Sequence, residues 1–177
     1  MKVSKSKLMT VAIAGFLSMG LATALAGPKG PNLVDVAVAV NESEGSPYQG
    51  QFDTLIAAVG AADPVIAAIL TGNGQHTVFA PTDDAFLKAG FTPESIVNVP
   101  PAALTEILAY HVVRGRRDSE TVIDSSKLKT RQGERLQQDG GVLTDTQGRD
   151  AVIEFTDVPA ANGIIHVIDA VVLPFAL

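Results

Sequence analysis

Thr77–Gly90, TVFAPTDDAFLKAG, is the stretch whose reading decides the fold. Thr77, Val78 and Phe79 form a β-prone run, and Pro81, which has no N–H to give a ladder, ends the predicted strand. Thr82 then stands as an N-cap, with Asp83 and Asp84 in the first helical turn, where the helix dipole favours negative charge. Ala85 to Lys88 are fair to good helix formers, and Gly90 supplies the stop. A short buried strand running directly into a short helix is expected. A second stretch, Asn162–Pro174 (NGIIHVIDAVVLP), reads as a long strand over Ile164–Leu173. Its Asn-Gly start predicts a turn with positive φ at Gly163. Both alternating faces of this strand are largely apolar, so it is expected to be central and covered on both sides.

On the N-terminal side of Thr77, Leu33, Val36, Ala37 and Val40 recur at helical spacing. Asn41–Gly50 is a polar loop, and Phe52–Val59 is a second helix with Phe52, Leu55, Ile56 and Val59 on one face. Asp63 is expected to cap a third helix that has Pro64 at its first position. Beyond Gly90, Thr92-Pro93 and Pro100-Pro101 each open a helix, the latter carrying Leu104, Ile107, Leu108 and His111 on one face. Ser119–Ser125 reads as one more short helix. From Lys127 the period changes to two, predicting strands at Lys127–Arg131, Leu136–Gln138, Val142–Thr144 and Ala151–Asp157, with a turn at Pro159–Gly163. Helices in the first half and strands in the second argue for an α+β fold.

Lys2, Lys5 and Lys7, an apolar run from Leu8 to Ala26 and the closing Ala24-Leu25-Ala26 have the pattern of a secretory signal peptide cleaved after Ala26. Residues 27–32 are then a flexible leader and 33–174 a single domain. Cleavage would remove three of the 13 basic residues and none of the 19 acidic ones, leaving the domain more acidic than the whole chain at −6. That balance argues against nucleic acid and anionic membrane surfaces as partners. The chain has no cysteine, so disulfides are excluded and the core alone must hold the domain.

Three segments, TVFAPTDDAF at Thr77–Phe86, ILAYHVVRG at Ile107–Gly115 and NGIIHVIDAVVLP at Asn162–Pro174, resemble the signature segments of the fasciclin (FAS1) domain in order and separation. The resemblance implies a β-sheet wedge flanked by several short helices. It also implies an extracellular protein, attached or secreted, that acts in cell adhesion. Together with the signal-peptide pattern this gives a secreted or periplasmic protein, not integral to a membrane after cleavage. The partner would be an unnamed protein or cell-surface or matrix material. Some family members carry apolar molecules, so a carrier of a carotenoid or lipid is the alternative. The family's Tyr-His pair falls on Tyr110 and His111, which the resemblance makes a possible adhesion contact. From the residues alone, a lone His ending an apolar helical stripe reads as a hydrogen-bonded core residue.

The residues themselves offer little chemistry. His76, His111 and His166 stand far apart in sequence, so no metal is expected. Asp83-Asp84 are explained by a helix N-terminus, and Asp145, Asp150 and Asp157 lack the Gly-centred calcium-loop pattern. Beyond Ala26 there is no G-x-S-x-G elbow, and Gly72-Asn73-Gly74 lacks the third glycine of a dinucleotide loop. Arg114, Arg116 and Arg117, half neutralised by Asp118 and Glu120, read as a solvated turn. No cofactor and no enzymatic activity are expected.

Overall fold

The computed structural model describes residues 30–175; the expected signal peptide and most of the leader lie outside them. Helix α1 (Leu33–Glu42) begins at a capping box in which Asn32 and Asp35 exchange side-chain-to-backbone hydrogen bonds. The polar loop follows, then α2 (Asp53–Ala61) and α3 (Pro64–Thr71). The deciding stretch forms β1 (His76–Pro81) and α4 (Asp83–Lys88), with the Thr82 hydroxyl accepting the Ala85 N–H at 3.2 Å. Next come α5 (Pro93–Ile96), α6 (Pro101–Tyr110), β2 (Val112–Arg114) and α7 (Ser119–Ile123). Strands β3 (Lys127–Lys129), β4 (Arg135–Asp139), β5 (Val142–Thr144), β6 (Asp150–Ala160) and β7 (Gly163–Ile168) complete the described chain. The fold is α+β, a mixed seven-stranded sheet with short helices.

The sheet order is β2-β1-β7-β6-β5-β4-β3, so β7 is interior as expected, and all six of its residues are buried. It runs parallel to β1, with Thr77 opposite Ile164 and Phe79 opposite His166; every other pairing is antiparallel. The two outer strands also meet. Val113 bridges Thr130, and the Arg131 N–H donates to the Val112 carbonyl at 2.7 Å, so the sheet curls towards a barrel. The curl encloses one apolar cluster, with Phe79, Tyr110, Leu136 and Ile168 among its members. The opposite face of β1, β7 and β6 meets α1, α2, α3 and α6 in a larger cluster containing Leu55, Ile66, Phe86 and Ile165.

Four expectations change. Strand β7 stops at Ile168 instead of Leu173, because the chain then turns and its amides find partners outside the ladder: Leu173 donates to the Asp145 carboxylate at 3.1 Å. The turn before it is only Ala161-Asn162, since Pro159 and Ala160 still pair with Ile164 and Gly163. Gly163 does not have positive φ. It is glycine because a Cβ there would overlap the His76 carbonyl oxygen of β1, its pairing partner. Asp63 sits at the N-cap of α3 without a side-chain cap bond; its carboxylate accepts from the Thr105 hydroxyl of α6 at 3.4 Å.

Candidate functional site

Tyr110 and His111 end α6 and enter β2, and neither reaches the surface: Tyr110 is 0% and His111 2% exposed. The Tyr110 hydroxyl points to the Arg135 carbonyl of β4 at 3.4 Å. His111 Nδ1 lies 2.8 Å from the Ile107 carbonyl, and Nε2 accepts the Val172 N–H at 3.3 Å. Those two bonds require the neutral tautomer protonated at Nδ1. Burial accordingly lowers the His111 pKa to about 4. The segment therefore joins α6 to the C-terminal crossing through a ring that has both nitrogens occupied.

His166 of β7 repeats this logic beside Phe79, with the two rings stacked 5.7 Å apart. It is 0% exposed, accepts the Asp157 N–H on Nδ1 at 3.2 Å and places Nε2 2.9 Å from the Arg117 carbonyl. Burial lowers its pKa as well. Asp157 is held at φ 65, within the register irregularity between Phe155 and Val158 of β6, and its carboxylate accepts the Ser119 N–H of α7 at 2.9 Å. The arginine turn is less solvated than its composition suggests. Arg116 donates to the Ala160 carbonyl at 2.9 Å, and the Nε of Arg117 is buried.

Three polar groups legible only as local turn or cap residues act over long distances. Asn162, 0% exposed, accepts the Leu33 N–H at 2.9 Å and donates to the Leu70 and Gly72 carbonyls at 2.7 and 2.8 Å. It fastens the start of α1 and the end of α3 to the β6–β7 turn. Asp83 accepts the Thr54 and Asp53 N–H groups at 2.8 and 3.2 Å, and so caps α2 from the first turn of α4. Asp145 is 2% exposed; burial pushes its carboxyl up, but N–H donors from Gln147, Arg149 and Leu173 hold it below its ordinary value.

Helix α1 is a strap pinned at both ends. Asn162 holds its start, while Asn41 accepts the Phe52 N–H and donates to Asp53, both at 2.8 Å. Between these pins it bridges the apolar sheet face and leaves a cavity of about 100 Å³, walled by Ala37, Val40, Tyr48, Phe52, Phe155 and Val167. Pockets that take drug-sized ligands measure roughly 300–1,000 Å³. A smaller apolar recess under the same helix reaches Leu55, Val59 and His111. Among the described residues no group of three or more His, Cys, Asp or Glu could hold a metal ion. Nor is any single described helix long and apolar enough to cross a membrane.

The family model for the fasciclin domain matches residues 50–174. The chain belongs to the fasciclin family. Protein sll1483 of a Synechocystis strain is 43% identical over 128 residues, which cover 70% of this chain and 67% of that protein. Immunogenic protein MPB70 of Mycobacterium bovis is 33% identical over 165 residues, covering 85% of this chain and 78% of its own. Transforming growth factor-beta-induced protein ig-h3 of Sus scrofa is 34% identical over 125 residues, 70% of this chain but 18% of that longer protein. Among solved structures, a FAS1 domain pair from the insect cell adhesion molecule Fasciclin I aligns with a TM-score of 0.51 at 17% identity. That match covers 70% of this fasciclin chain and 45% of the other, and it speaks to the fold alone.

Proposed function

We propose that this fasciclin protein is exported and works as an adhesion or interaction module, held to another protein or to cell-surface or matrix material, and is not an enzyme. The observation that carries this reading is membership of the fasciclin family, whose domain spans residues 50–174. The interior supports it. The histidines and acids that reach the core are spent on backbone hydrogen bonds, as His111, His166 and Asp145 illustrate. The Tyr110-His111 segment serves here by holding the scaffold. Adhesion is tested by coating a surface with the natively purified protein and counting retained cells; a coat that holds no more cells than albumin would reject it. Export is tested by N-terminal sequencing, which should begin at Gly27. A chain keeping Leu8–Leu25 in the membrane fraction would reject cleavage after Ala26.

The second reading is a carrier of a small apolar molecule. The apolar cavity beneath α1 favours it, with Tyr48 and Phe155 rings 5.6 Å apart at its wall. Its volume counts against it, since a carotenoid or lipid would have to lift the strap. Visible absorption and lipid analysis of protein from the native host decide between the two. A stoichiometric chromophore or lipid through gel filtration would make carriage the function.

A further inference from the structure

The cations of this acidic chain are segregated. Among the described residues only Lys88 and Arg149 lie outside the segment Arg114–Arg135, and both face carboxylates, Asp169 at 3.9 Å and Asp145 at 2.7 Å. Inside the segment no lysine or arginine forms an ion pair with another described residue. Their placement follows from the strand register. Lys129 of β3 is directly opposite Arg135 of β4, and Lys127 is opposite Gln137. The Val113–Thr130 bridge brings Arg114 of β2 alongside Lys129 on the other side. Since cross-strand neighbours share a face, Arg114, Lys129 and Arg135 form a row of three exposed cations across the closing seam, with Lys127 beside it. Strand geometry spaces them about 5 Å apart across the row and roughly 7 Å along β3.

Like charges set directly opposite one another destabilise a sheet. Lysines often guard an exposed strand edge against pairing with other chains, which would account for Lys127 and Lys129. Here, however, β2 already lies along that edge, and Arg114 and Arg135 belong to its neighbours. We propose that the outer face of the β2–β3–β4 seam binds an anionic polysaccharide, whose carboxylate or sulfate groups bridge Arg114, Lys129 and Arg135. Gln137 adds an amide suited to sugar hydroxyls, and the shallow groove at the β3–β4 hairpin has Glu134 as its single carboxylate. Other polyanions fit less well. No aromatic residue occurs between Arg114 and Asp139 on which a base could stack, and the exposed positions of the face offer no apolar side chain to enter a bilayer.

This binding does not depend on cell retention, so a purified polymer tests it separately from adhesion. The exported chain is applied to immobilised polygalacturonate and heparin at low ionic strength, beside neutral dextran, single-stranded DNA and anionic lipid vesicles. Retention on at least one of the two polysaccharides, falling with added salt, and none on dextran is expected. The double variant Lys129→Gln, Arg135→Gln should lose at least tenfold in affinity with a melting temperature equal to or above wild type. Lys88→Gln, remote from the seam, should bind as wild type does. No retention on either polysaccharide, an equal loss in Lys88→Gln, or tighter binding to DNA or vesicles would overturn the assignment. So would a double variant that aggregates while keeping its affinity, since the cations would then serve only to guard the edge.

Discussion

The side-chain oxygen of Asn162 accepts the backbone N–H of Leu33 at 2.9 Å across 129 residues of sequence. Through that bond the β6–β7 turn positions the first helix, and with it the roof of the apolar cavity. Its amide nitrogen spends both hydrogens on the Leu70 and Gly72 carbonyls, which end α3. Asn162→Ala would leave a buried N–H and two carbonyls without partners. It should lower stability by about 2–5 kcal/mol. Asn162→Asp should be at least as harmful, because a carboxylate has no hydrogen for the two carbonyls. Chemical denaturation checks both; a midpoint unchanged in Asn162→Ala would mean that α1 is held by its apolar contacts alone.

Gly163 and Gly133 make a contrasting pair. Gly133 has φ +123 with open space around its Cα, whereas Gly163 has no positive φ but meets the His76 carbonyl. Gly163→Ala should therefore cost on the order of 2–4 kcal/mol, because two paired strands must part. Gly163→Asn discriminates the causes. Asparagine tolerates positive φ, so it would rescue a glycine needed for conformation but not one needed for close approach. A Gly163→Asn variant as stable as wild type would refute the steric account.

Acid should unfold this protein earlier than its carboxylates alone dictate. The folded pKa of His111 is about 4, below the ordinary 6.5, so the neutral ring is the form that the fold favours. Its contribution is then full above pH 6.5 and is lost as pH falls from there towards 4, amounting to roughly 3 kcal/mol. His166, also lowered, adds in the same direction. Asp145, lowered from 3.8, begins to matter only below that value. Denaturation midpoints between pH 7.5 and 4.5 should decline, and His111→Gln should flatten the decline. A wild-type midpoint constant over that range would contradict the burial of neutral imidazoles.

His111→Ala separates scaffold from contact. Loss of the Ile107 and Val172 bonds should lower stability by about 1–3 kcal/mol. Cell retention should then fall only in proportion to the unfolded fraction. Retention abolished at unchanged stability would instead make Tyr110-His111 a recognition segment.

Much of the architecture is local and was therefore readable from the residues alone. Thr82 and Thr92 cap their helices with their own hydroxyls, and the alternating apolar residues of β3 to β6 follow a period that one strand sets for itself. The α+β class, the central place of β7 and the family resemblance all come from such short-range signals. Other roles depend on what the fold brings opposite a residue, and no spacing encodes that. Asp83 belongs by position to α4, yet it also caps α2, because packing sets its carboxylate against the Asp53 and Thr54 amides. Gly163 was legible as a constrained position but for the wrong cause, since the obstruction is a carbonyl 87 residues earlier in the chain. The cationic row could not be read either: Arg114, Lys129 and Arg135 become neighbours only when β2 and β3 close the sheet. Propensity and periodicity act within a few residues, and they built the elements. Burial and electrostatics act through space, and only the assembled chain decided which polar groups share a partner and which charges share a face.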